Sequence, residues 1–91
     1  MILSVDEAKE YLRVDFPDED EMIARIIESS EKLCMDIYRT DDAAEFAAEP
    51  TGKIAVLYAV AYMYEHREDA DYHALSLSLR ALLGGGRKAG F

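Results

Sequence analysis

The sequence predicts an all-α fold: a small bundle of about four helices around a buried central helix (about 54–67), with a long second helix (about 19–39) beside it. Three observations carry this expectation. Ile54 to Tyr64 is an unbroken apolar run of eleven residues. A stripe of apolar residues with helical period extends from Met22 to Tyr38. Ser4-Val5-Asp6-Glu7 has the spacing of a capping box, in which the Ser hydroxyl and the Glu carboxylate each satisfy the other's backbone N–H.

The first helix starts at that box and runs to about Leu12. Val5, Ala8, Tyr11 and Leu12 form its apolar face, Asp6 and Glu7 suit its positive end, and Ile2 or Leu3 is placed to staple its start. Pro17 disfavours helix at Phe16 and closes the segment.

Asp18-Glu19-Asp20-Glu21 has the look of a cation site, but four carboxylates in a row also favour a helix start. Asp18 is expected as the N-cap, with Glu21 at the capping-box position. A calcium loop needs acids at alternating positions, a central Gly and a late Glu, and none of that pattern is present. The second helix follows, with Met22, Ile23, Ile26, Ile27, Leu33, Cys34, Ile37 and Tyr38 as its apolar positions and Ser30 in the gap. Glu21→Arg25 and Glu28→Lys32 are expected ion pairs on its other face. At about 31 Å it is long enough to brace the central helix and project beyond it. Cys34 falls in the stripe and reads as a small buried hydrophobe, since nothing in the sequence identifies a base to activate it.

Residues 41–50 are an acidic connection with Phe46 as their one large apolar residue. A helical turn fits there, and the segment is expected to be mobile in a lone subunit and ordered by a partner. Thr51 is placed to cap the central helix. That helix is about 16 Å long over its apolar run, short of the ~20 apolar residues a bilayer span needs. A helix apolar all round is expected to be buried all round. Ala55 and Ala59 share a face that allows close approach, and Tyr58 and Tyr62 present rings with polar tips on another. A buried strand is the rival, and the length and the alanines argue against it.

His66 and His73 stand among carboxylates, but their spacing fits no zinc motif, and no metal or cofactor is expected. Ala74 to Leu83 alternates Leu and Ser, as a strand would. Leu75, Leu79, Leu82 and Leu83 equally make a helix face, which favours a short fourth helix stopped by Gly84-Gly85-Gly86. Gly-Gly-Gly-Arg87-Lys88 lacks the Ser or Thr of a phosphate loop. The expected organisation is one domain over 1–83 and a flexible, Gly-rich basic tail over 84–91.

Ninety-one residues with 51% apolar content suffice for one modest core. The net charge of −9 opposes nonspecific nucleic-acid binding, which depends on cations meeting phosphates. The charge is also uneven. Residues 1–79 hold all nineteen acids against seven Lys or Arg, a balance of −12, whereas Arg80, Arg87 and Lys88 make the end basic. A basic end and an acidic body suit a head-to-tail contact between copies. Cys34 is the only cysteine, so no internal disulfide forms. The opening residues lack a basic region and a long apolar segment, so no signal peptide is expected and a cytosolic protein is the default.

Together these segments resemble the small phage head–tail connector family, the head-closure adaptors also labelled DNA-packaging proteins. The resemblance lies in the opening Leu3 to Asp15, in the acidic Asp18 to Glu21 leading into Met22-Ile23-Ala24-Arg25-Ile26-Ile27, and in Ala59 to Glu68 with its Tyr64-x-x-Arg67-Glu68 signature. It continues in Leu82-Leu83-x-x-x-Arg87. A triple glycine stands where the family has Pro-aromatic character before Arg87. The resemblance implies a ring of about a dozen subunits beneath the portal protein, extending the channel through which DNA is packaged and ejected. It implies a virion component of the head–tail junction, made in the bacterial host cytoplasm, that contacts a downstream head-closure or tail component and no membrane. An acidic lumen would let DNA slide without gripping it. Arg25, Lys32, Arg80, Arg87 and Lys88 are the candidate subunit, portal or tail contacts. The alternative is a stand-alone acidic helical interaction module, a small homo-oligomer. No nucleophile–base pair or metal motif supports an enzyme.

Overall fold

The computed structural model describes residues 2–84. They form five α-helices and one 3-10 turn, with no strand among them: α1 Val5–Leu12, a turn at Pro17–Glu19, α2 Asp20–Tyr38, α3 Ala43–Ala47, α4 Gly52–Glu65 and α5 Tyr72–Gly84. The bundle is all-α, as the patterning requires, with one helix more than expected. Most of the tail expected over 84–91 lies outside the described residues; Gly84 is the last residue of α5.

α1 begins with the full capping box. Ser4 Oγ accepts from the Glu7 N–H at 3.1 Å, and Glu7 Oε1 accepts from the Ser4 N–H at 3.1 Å. Leu3 is fully buried, and Glu31 of α2 holds it in place by accepting from the Ile2 and Leu3 amides at 2.7 and 3.2 Å. The helix ends with Arg13 in the left-handed region, φ 62°, and the Val14 N–H closes back on the Lys9 carbonyl at 2.9 Å.

Asp18 does not cap α2. It lies within the Pro17–Glu19 turn; the N-cap position is Glu19, with no side-chain capping bond. The Glu19 carboxylate is engaged elsewhere, by Tyr64 and Arg67 at the far end of α4. Along α2, Ile23, Ile27, Ser30 and Cys34 are fully buried at helical spacing. They pack on Ala55, Val56, Ala59, Val60 and Met63 of α4 in the most extensive helix pair of the fold. Small residues on both sides, Ser30 and Cys34 against Ala55 and Ala59, let the axes approach. The buried Ser30 hydroxyl donates to Met63 Sδ at 3.5 Å.

The connection after α2 carries α3, capped by Asp42, whose carboxylate accepts from the Ala44 and Glu45 amides at 3.0 and 3.2 Å. Phe46 is fully buried and meets Tyr38 edge-on at 5.7 Å. Its carbonyl sits where a Gly52 Cβ would stand, at 2.8 Å, so the chain enters α4 against α3 only because residue 52 has no side chain. Thr51 occupies the N-cap position, but its hydroxyl donates to Glu49 Oε1 at 3.1 Å and does not cap the helix.

α4 is not buried all round. Ile54 is 56% exposed and Tyr58 41%. α1, α2, α3 and α5 all pack on α4 and leave the side that carries Ile54 and Tyr58 uncovered. Tyr11, expected on the core face of α1, is likewise 54% exposed beside this open side. α5 starts where Asp71 Oδ1 accepts from the Ala74 N–H at 3.0 Å, and the Asp71 N–H donates to Tyr62 Oη at 2.9 Å. Leu75, Leu79 and Leu83 are buried, which resolves 74–83 as helix. α1 and α5 each pack on α2 and α4 but do not touch each other.

Candidate assembly surface

Of the five basic residues singled out from the sequence, three lie among the described residues, Arg25 and Lys32 on α2 and Arg80 on α5. Arg25 lies on the exposed side of α2 and pairs with Glu21 at 2.8 Å, one turn back. Lys32 lies seven residues on, on the same side. It pairs with Asp36 at 3.6 Å and not with Glu28. Both pairs stand in solvent, so they add little stability and leave the cations accessible to a partner. Arg80 is exposed on α5 and has no ion pair among the described residues. Arg87 and Lys88 lie outside the described residues.

Three of the remaining cations, Lys9, Lys53 and Arg67, tie elements of the fold together. Lys9 joins α1 to Asp20 at 2.7 Å, with its side chain largely covered. Lys53 meets Glu7, tying α4 to α1, and this contact with the Ser4 amide holds the Glu7 carboxyl below its ordinary range. Arg67 meets Glu19 at 2.9 Å and stands over the Tyr64 ring at 5.0 Å. Tyr64 Oη donates to the other oxygen of the same carboxylate. Glu19 is held low by the Tyr64 and Arg67 hydrogen bonds, and the Tyr64 hydroxyl is pushed up by bonding to Glu19.

Cys34 is fully buried, and burial pushes its thiol up to about 12, with the nearby Glu31 charge adding to the effect. At neutral pH it is a protonated packing residue. Among the described residues no group of three or more His, Cys, Asp or Glu converges as a metal site. His66 closes α4, its amide donating to the Tyr62 carbonyl at 2.9 Å and its ring lying 4.3 Å from the Tyr62 ring. Among the described residues no helix is long and apolar enough to cross a membrane.

What the sequence reading missed is a set of large side chains left at the surface of α1 and α4. The uncovered side of α4 forms a groove of about 420 Å³ with the end of α1, lined by Tyr11, Tyr58, Ala61 and Tyr62, with Arg13 and Glu65 also contributing. On α5, Leu77 is 52% exposed. An apolar run has no polar side by which to tell its inner face from its outer one, so no sequence signal marked Ile54 and Tyr58 as surface residues. Tyr11 sits in a helical pattern that also contains core residues, and spacing alone does not separate it, whereas Leu77 falls off the Leu75, Leu79, Leu82 and Leu83 face once 74–83 is read as helix.

The described residues thus form an acidic all-α bundle with solvent-facing aromatics and with Arg80 exposed on α5. The chain belongs to the phage gp6-like head–tail connector protein family, whose family model matches residues 2–80. Membership makes it a structural phage component that assembles with other head or tail proteins. No curated protein matches the chain, and no solved structure does.

Proposed function

We propose that this chain forms a ring beneath the portal and extends the channel through which DNA is packaged and ejected. The observation that carries this reading is the family match over residues 2–80. The charge distribution supports it. Nineteen acids against ten Lys or Arg make a surface that repels phosphate, which suits a conduit and not a clamp. On this reading the protein is a virion component of the head–tail junction, made in the host cytoplasm. Its neighbours are further copies, the portal and the next head-closure or tail component. Arg25, Lys32, Arg80, Arg87 and Lys88 are the cations this reading assigns to these contacts.

The test is the mass of the purified protein across a concentration series, with negative-stain images of the largest species, alone and with portal. Closed rings, alone or templated by portal, are the expected result. A stable dimer that ignores portal would instead establish a small interaction module. Reversing the charge of Arg80, Arg87 and Lys88 together is expected to abolish ring or virion assembly, and unchanged assembly would remove those three from the interface.

A further inference from the structure

We infer that the groove on the open side of α4 receives the outer face of α5 from a second copy, so that these two unlike faces are the halves of one head-to-tail contact. The inference rests on the ring reading and names the surfaces that would make it.

The groove is concave because Ala61 is small while Tyr11, Tyr58 and Tyr62 stand around it. Ile54, more than half exposed, extends the apolar strip along α4. The ridge is the side of α5 opposite the buried Leu75, Leu79 and Leu83. His73, Leu77, Arg80, Ala81 and Gly84 fall on it at spacings of four, three, one and three residues, and all are exposed. Leu77 is the one large aliphatic residue of this side, with Ala81 one turn on. It forms a knob of the size a groove between tyrosines accepts.

The ridge cannot fill the groove of its own molecule. It faces away from α2 and α4, and α1, which forms one edge of the groove, does not touch α5. Two unlike patches on separate parts of one molecule leave each bound copy with one half still open. Such a contact propagates and closes into a ring where the rotation permits, whereas a two-fold dimer buries the same patch twice.

Charge favours the same pairing. Among the described α-helices, α5 alone has no Asp or Glu, and Arg80 is its one Lys or Arg. Glu65 lines the groove and, like Arg80, has no ion pair among the described residues. With Leu77 seated by the tyrosines, Arg80 lies one turn along the ridge and meets Glu65. Arg13 also lines the groove, so like-charge repulsion from Arg80 selects the orientation that brings Arg80 to Glu65.

The experiment mixes full-length Tyr58→Cys with full-length Leu77→Cys under mild oxidation; the native Cys34 is fully buried and does not compete. The expected product is the mixed 58–77 disulfide, well above the share random collision gives. A random share, or a majority of 58–58 or 77–77 dimers, overturns the pairing. A second measurement uses Tyr58→Asp and Leu77→Asp, both at exposed positions and checked for helicity. Each alone is expected to lose self-association or portal-templated rings, and an equal mixture to stop at a one-to-one pair. Rings unchanged by either substitution would overturn this contact and leave the connector reading standing. A stable 77–77 dimer without rings would overturn both.

Discussion

Gly52 has its role through what it lacks. A methyl there meets the Phe46 carbonyl at 2.8 Å, and the obstacle is backbone, which cannot swing aside. Gly52→Ala is therefore expected to destabilise the fold by about 1–2 kcal/mol, since overpacking outweighs the gain in helix propensity. In a domain of this size that lowers the midpoint of a thermal melt by roughly 5–10 °C. Cys34 makes a second residue-scale prediction. Its buried thiol, with a pKa pushed up to about 12, is expected to resist a thiol reagent at pH 8 until denaturant unfolds the chain. Labelling at the rate of a free thiol in the native protein would show that the α2–α4 seam opens.

Between elements, the contact that closes the bundle is the Glu19 cluster, which joins the start of α2 to the end of α4. Its pH dependence has two limbs. Glu19 titrates lower in the folded chain, so its contribution is present above the ordinary carboxyl value of 4.5 and is lost as pH falls below it. Tyr64 titrates higher, so its contribution is present below the ordinary value of 10 and is lost as pH rises past it. The stability difference between wild type and Tyr64→Phe is therefore expected to be largest near neutrality and to shrink at both extremes. Melts at pH 3, 7 and 11 measure it, and a pH-independent difference would mean that the ring's packing, not the shared carboxylate, is what Tyr64 contributes.

At the scale of the whole molecule, the net charge of −9 is the property that bears on a channel. Duplex DNA is expected to show no measurable binding to the protein at micromolar concentration and physiological salt, because few cations are free to displace counterions. A gel shift or anisotropy titration checks this. Binding that weakens steeply with salt would point to a clamp instead of a conduit.

Periodicity and capping chemistry sufficed for the helices that carry them. Ser4 and Glu7 mark the start of α1 because the box is local, and the Ile23-to-Cys34 stripe marks the buried side of α2 because its opposite side is charged. In the acidic connection a helical turn was legible, and α3 stands there; its buried side was not marked, since Phe46 is a single large apolar residue and a single residue has no period, and what buries it is Tyr38 and the missing side chain of Gly52. Asp18 has the chemistry of a cap, yet the chain turns through it and Glu19 serves Tyr64 and Arg67, partners more than forty residues away. The candidate surface divided the same way. The cations Arg25, Lys32 and Arg80 were legible because charge in an apolar pattern is visible locally, while Tyr11 and Tyr58 were not. By itself the sequence determined the helical class, the acidic character and the family, which depend on residue type and spacing. Only the tertiary structure decided which side of α4 stays open, because exposure is set by which sides the other helices pack against.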